Sequence, residues 1–407
     1  MPSSSLSSFL VCHQKVHVKM HSSLITILLL ATGGTIAKFI IPQPNGPYGV
    51  SLIDAQVIDE SRRDPYTNAS ARIIPFTVIS PAGSAGKCNV TVQPYMPNAT
   101  ASFWEQVIPS PTDGWNLSIS FNNTFTQTEL SLCKPVPAQQ NEYPVILFSP
   151  ALGNSREFYH IMCMNLASQG YNVITVEEPG QDGVLTYADG DVQITDISAI
   201  ESDDQTLIAA VDVRVADLDF VLTTISSPAF RASHPNIQLN TSKVAIFGHS
   251  LGGAASLASI VNNTRYLGGA NLDGQVVGTP LTHTTTKPSM IFGSTGHNQS
   301  LAVLNWDTTW KNLLGWRVEL GLEDSVHYSF TDLPFLLETL GLENASTKQI
   351  LAPLVGTIDG KQALKSVVGV MHSFFQFVFS GGAVKGVSVV NEAKAVGQVA
   401  VLNGTNV

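Results

Sequence analysis

Residues 244–255 read VAIFGHSLGGAA. An apolar run ends at Phe247, Ser250 follows between Gly248 and Gly252, and Gly253, Ala254 and Ala255 come next. The pattern reads as a buried strand that turns sharply into a helix. The glycines keep neighbouring Cβ atoms out of the turn, and the small residues let the helix lie close against the strand. A serine at such a turn is a candidate nucleophile. It is also compatible with an idle serine in a glycine turn, so the decision rests on partners elsewhere in the chain.

The surroundings favour a parallel sheet. Short apolar runs at 144–149 (PVILFS), 171–176 (YNVITV), 243–247, 267–272, 289–292 and 316–320 read as strands. Between them, 155–169 and 197–225 carry helical spacing, with Val211, Val215, Leu218 and Leu222 three or four residues apart. Unbroken apolar strands alternating with helices imply a sheet covered on both faces, with ligands bound beyond the carboxyl ends of the strands. Upstream, 71–80 and 88–92 read as strands. Residues 38–70 read as an irregular arm, and 93–141 show little helical periodicity. The expected organisation is a leader over 1–37 and one domain over 38–407. That domain has an irregular N-terminal region (38–142), a core (143–340) and C-terminal helices.

Composition narrows the class. Of 407 residues 44% are hydrophobic and 13% charged, enough for a large core. The net charge is −10, and no Lys/Arg cluster is present to meet a phosphate backbone, so no nucleic-acid partner is expected. No C-x-x-C or H-E-x-x-H spacing suggests a metal. Lys15 and Lys19 precede the apolar run at 24–30 and small residues through Ala37, the layout of a secretory leader; Met20 is an alternative start. Residues 31–37 (ATGGTIA) resemble an asparaginase motif, but the second Gly-Thr-Asp-Thr segment that such enzymes need is missing. N-x-S/T acceptors at Asn68, Asn89, Asn98, Asn116, Asn122, Asn240, Asn262, Asn298, Asn344 and Asn403 fit export through a glycosylating route. Cys88 and Cys133 flank a Pro/Asn/Thr-rich segment and are candidates to pair, whereas Cys163 reads as a core residue.

A serine hydroxyl needs a neutral imidazole to take its proton and a carboxylate to orient that imidazole. With the nucleophile on a strand-to-helix turn, the expected order is Ser, acid, His. His327, in LEDSVHYSF (322–330), follows a strand candidate and precedes a helical stretch, so it is the expected base. His283 and His297 read as residues of polar loops, and His372 as a structural residue of a helix. For the acid, Asp273 directly ends the run at 267–272 and is preferred over Asp307 and Asp324. Two backbone N–H groups are expected to stabilise an oxyanion: that of Leu251, after the nucleophile, and that of Leu152, in the loop of FSPALG (148–153).

Together these segments resemble the secreted platelet-activating-factor acetylhydrolases, the lipoprotein-associated phospholipase A2 family. That family's Phe-Ser-His-Gly-Leu-Gly is matched by 148–153, its Leu-Ala-Ser-x-Gly by 166–170, and its Gly-His-Ser-Phe-Gly-Gly by 248–253. Its Leu-Asp is matched by Leu272-Asp273, and its Ser-Val-His-x-x-Phe-x-Asp by 325–332. Pro150-Ala151 stand where the family has His-Gly, and Glu178-Pro179 where it has His-Arg. The resemblance covers about residues 143–340. It implies the α/β-hydrolase fold, with a mostly parallel central sheet and helices on both faces. It further implies cofactor-free hydrolysis of a short sn-2 acyl ester of a phospholipid. A secreted carboxylesterase or cutinase-like enzyme is the alternative on the same fold. The aromatic stretch 371–379 reads as the core face of a helix, with contact at a lipid interface as the second reading.

Overall fold

The computed structural model describes residues 38–67, 69–112, 114–135, 143–237 and 239–405. The leader, the 31–37 motif and the Asn68 acceptor lie outside the described residues. Nine strands form the main sheet: β1 Tyr48–Asp59, β2 Arg72–Ser84, β3 Tyr143–Ser149, β4 Asn172–Val176, β5 Leu239–His249, β6 Tyr266–Leu272, β7 Ser289–Gly293, β8 Arg317–Leu322 and β9 Val399–Gly404. Their spatial order is β9-β8-β7-β6-β5-β3-β4-β2-β1. The six strands from β4 to β8 run parallel. β2 runs antiparallel to β4 and to β1, and β9 closes the other edge antiparallel to β8. The sheet is therefore mixed, with the parallel strands at its centre.

Alternation along each central strand explains the apolar runs. On β3, Val145 and Leu147 enter one core and Ile146 and Phe148 the other, all fully buried. Helices α3 (Asp204–Ile225) and α4 (Leu251–Asn262) cover the first face. On the other lie α2 (His160–Ala167), α5 (Gly360–Phe379) and α6 (Val387–Val396). A side chain at 145–148 meets a packed core on either face, and the sequence carries only apolar residues at those four positions.

Several segments differ from the sequence reading. The supposed arm at 38–70 contains β1, a twelve-residue strand on the sheet edge. From Ile53 to Ile58 its residues alternate between half-buried and exposed, so the polar side carries Asp54 and Gln56 and the apolar signal is diluted. Within 93–141 lie a helix, α1 (Asn98–Val107), and the strand Thr128–Cys133. That strand forms a small sheet with Phe39–Ile41 and Val90–Pro94. A disulfide joins Cys88 to Cys133, and Cys163 is a buried free thiol in α2. The long helix expected over 197–225 is a 3-10 turn at Ile197–Ser202 followed by α3, whose start is fixed by the Asp203–Thr206 capping box. In the aromatic stretch, Met371, Phe374 and Phe375 are wholly buried, and Phe375 meets the rings of Tyr171 and Phe247. These side chains face the core. No helix among the described residues is long and apolar enough to cross a membrane.

One polar contact links the two loops that matter most. Asp332 is buried, and its carboxylate accepts from the backbone N–H of Ile161 (2.7 Å) and Met162 (3.0 Å) and from the Tyr95 hydroxyl (3.1 Å). It thereby caps α2 and ties the segment after His327 to the helix after the 148–153 loop. Asp332→Ala leaves these buried donors unmatched. It should cost about 2–4 kcal/mol of stability, read as a lower urea midpoint in equilibrium unfolding.

Candidate active site

β5 delivers Ser250 at its carboxyl end, directly before α4. Ser250 has φ 56° and ψ −124°, a conformation a β-carbon residue rarely adopts. The surrounding hydrogen bonds enforce it. The Ser250 N–H donates to Leu272 O on β6 (2.8 Å), while its own carbonyl accepts from Gly253 and Ala254. Two glycines make the turn possible. A Cβ on Gly248 would strike the Gly252 carbonyl, and one on Gly252 would strike the Ser149 and Pro150 carbonyls. The four-residue spacing of the motif thus records how closely α4 approaches the end of β3.

Asp273 lies in an equally constrained turn, with φ 55° and its N–H bonded to Phe292 O on β7 (2.9 Å). Asn271 clamps this turn by bonding both the N–H and the carbonyl of Gly274, and the Trp306 indole donates to the same carbonyl (2.7 Å). The Asp273 side chain has no exposure. His327 follows β8, and its Nδ1 stands 2.7 Å from Asp273 Oδ2. An ionised carboxylate only accepts, so Nδ1 carries the proton and Nε2 is left as the basic nitrogen. The His327 ring lies 4.5 Å from that of His249, the residue before Ser250. Burial, with His327 adding to it, holds His249 well below the usual imidazole range, so it stays uncharged beside the base.

Asp307 is elsewhere. Its carboxylate is half exposed in a short helix, 3.6 Å from Lys311. Asp324 serves a turn, with its backbone carbonyl accepting from Thr357 and Ile358. His372 bonds the Tyr171 hydroxyl (3.1 Å), and His283 pairs with Thr282 on the surface (2.9 Å). His297, read as a loop residue, is a difference: its Nδ1 lies 2.8 Å from Asp273 Oδ1. Ser294 adds its N–H to Oδ1 (2.7 Å) and its hydroxyl to Oδ2 (3.0 Å). Burial alone would raise the Asp273 pKa, but the bonds from His297 and His327 outweigh it and hold the carboxyl well below its usual range.

Opposite the turn stands the loop after β3. Ala151 N–H donates to the Tyr159 hydroxyl (3.2 Å), and Gly153 N–H to Gln181 O (2.7 Å). Between them, the N–H of Leu152 has no acceptor among the described residues, and neither has that of Leu251 in the first turn of α4. Pro150 and Ala151 are therefore compatible with the expected donors, because the donating N–H belongs to the next residue. Arg214 braces the loop from behind, donating to Pro150 O, Ser149 Oγ (3.1 Å) and Gln181 Oε1 (2.6 Å). Glu178 accepts from Ser149 Oγ (2.8 Å), and burial pushes its carboxyl up to about 8. This bracing set, together with Tyr159 and Asn154, was not read from the sequence. Among the described residues no cluster of His, Cys, Asp and Glu is suited to hold a metal ion.

Comparison with known proteins identifies the family. Residues 111–222 and 221–378 match the family described as platelet-activating factor acetylhydrolase, isoform II. The chain belongs to that family. As an acetylhydrolase-family member it is an ester hydrolase. A probable 1-alkyl-2-acetylglycerophosphocholine esterase of Arthroderma benhamiae is 26% identical over 85% of this chain and 89% of its own length. The platelet-activating factor acetylhydrolase of Gallus gallus is 25% identical over 48% of this chain and 54% of its own. That of Cavia porcellus is 24% identical over 59% and 60%. A solved ferulic acid esterase from Streptomyces cinnamoneus superposes with a TM-score of 0.72 at 21% identity, over 90% of this chain and all of that one. At that identity the likeness speaks to the fold alone.

The two candidate acids of this acetylhydrolase-family site are separable. Asp273→Asn should reduce kcat by about a thousandfold or more, because the His327 ring loses its orienting charge and tautomer. Asp307→Asn should leave kcat within about twofold, both measured on a short-chain aryl ester.

Proposed function

We propose that the protein cleaves the short sn-2 acyl ester of platelet-activating-factor-like or oxidised phospholipids through an acyl-enzyme. The observation that carries this reading is the Asp273–His327 pair at 2.7 Å beside the Ser250 turn. Ser250 Oγ attacks the acyl carbonyl while His327 Nε2 takes its proton, and Asp273 stabilises the imidazolium. The N–H groups of Leu251 and Leu152 receive the developing oxyanion. His327 then returns the proton to the leaving lysophospholipid oxygen. It next takes a proton from a water that attacks the acyl-Ser250 ester and passes that proton to Ser250 Oγ as the acyl–Oγ bond breaks, releasing the short carboxylic acid and the free enzyme. The choice of phospholipid over other esters is supported by family membership and by the alignment with the Arthroderma esterase over most of both chains.

We further propose that the protein is exported and glycosylated. Of the nine described acceptor asparagines none is buried: Asn240 and Asn298 are half-buried, and the other seven are exposed. The Cys88–Cys133 disulfide fits an oxidising compartment.

Protein recovered from the medium of a eukaryotic host should lose mass on endoglycosidase treatment. On that protein, 1-alkyl-2-acetyl-glycerophosphocholine should be hydrolysed with a kcat/KM at least about tenfold above that for a long-chain sn-2 phospholipid. Ser250→Ala should abolish the activity. A preference for simple aryl or polymer esters, with no turnover of the acetylated phospholipid, would favour the carboxylesterase reading instead.

A further inference from the structure

We propose that His297 is a positioning residue for the ester-hydrolysing site: it holds the Asp273 carboxylate so that Oδ2 meets His327. The inference rests on the proposed function above and extends it to a residue outside the Ser–His–Asp set. His297 Nδ1 is 2.8 Å from Asp273 Oδ1, and His327 Nδ1 is 2.7 Å from Oδ2. One carboxylate thus accepts from two imidazoles, one on each oxygen. Ser294 supplies two further donors, so the four contacts use both oxygens from both sides.

The local chain is shaped to bring His297 there. β7 ends at Gly293, and the His297 N–H returns to Ser294 O (3.0 Å), with Gly296 at φ 84° letting the backbone reverse. The Ser294 hydroxyl also lies 3.1 Å from His297 Nδ1, so serine and imidazole brace each other while both face Asp273. Because the carboxylate accepts, the proton sits on Nδ1 of His297. The bond persists whether the ring is neutral or protonated, since only Nε2 changes.

Without this donor, the Ser294 N–H is the one donor left to Oδ1 among the described residues. The carboxylate gains freedom to rotate about its own axis, and the direction of the His327 bond loosens. His297 is not a core packing residue. Its side chain is 18% exposed and lines an open cavity of about 340 Å³ with Thr295, Glu323, Asp324 and Leu402. Replacing it therefore leaves no sealed void, which separates a positioning role from a structural one.

Two variants test this. His297→Phe removes the donor while keeping a planar ring, and His297→Asn retains an N–H near the Nδ1 position. On the acetylated phospholipid, His297→Phe should lower kcat by about tenfold to a hundredfold, the range one hydrogen bond to a charged group spans, with KM within about twofold. His297→Asn should regain most of that loss. Independently of activity, the proton NMR signal of the His327 Nδ1–H should move in His297→Phe and stay near its wild-type position in His297→Asn. Unchanged kcat in both variants, equal losses in both, or a loss carried by KM would each overturn the proposal, as would an unmoved His327 signal in His297→Phe. Failure of the hydrolase reading is distinguishable. It appears in the wild-type protein as no ester turnover, while the NMR comparison still decides the role of His297.

Discussion

A carboxylate cut off from water must find its solvation inside the protein, and the Asp273 side chain is wholly buried. Its two oxygens accept from His327, His297 and twice from Ser294. Those donors come from the ends of β7 and β8, while Asp273 itself ends β6. Three neighbouring parallel strands must therefore finish at matching heights, and the register pairs Leu272 with Phe292 and Gly293 with Gly321. The turn that bends Ser250 into its strained conformation hangs on the same frame, since the Ser250 N–H donates to Leu272 O, one residue before the acid. Misplacing the carboxylate would disturb both the base and the nucleophile turn.

The other half of the site depends on close backbone approach. Gly248 and Gly252 let the start of α4 press against the carbonyls at the end of β3, beside the loop whose Leu152 N–H, like that of Leu251, has no acceptor among the described residues. Arg214 and Glu178 hold the 148–153 loop from the buried side. Glu178-Pro179, a departure from the resembling family's His-Arg, thus has a structural task here: Glu178 accepts from Ser149, and the Pro179 carbonyl accepts from Arg72 (3.1 Å).

The central strands and the Ser250 turn were legible because their signals are local. Burial on both faces writes an unbroken apolar run, and a strand-to-helix turn writes its glycines at fixed spacing. Asp273 and His327 were legible by position, each standing just past a strand. His297 stands past a strand as well, but four residues into a polar loop, and a histidine in a loop looks the same whether or not it meets a carboxylate 24 positions away. Arg214 was hidden for a similar reason. With Asp217 it interrupts a mostly apolar helix face, and its partners are 33 to 65 residues distant in sequence. β1 and β9 were missed because edge strands meet solvent on one side, which dilutes the pattern that burial imposes.

The central claim is that Ser250 carries the acyl group. Inactivating the protein with a fluorescent fluorophosphonate and mapping the label by peptide mass spectrometry tests it most directly. The account predicts one phosphonyl adduct, on the peptide containing Ser250, appearing in proportion to lost activity and absent from Ser250→Ala. Full inactivation with Ser250 unmodified would contradict it.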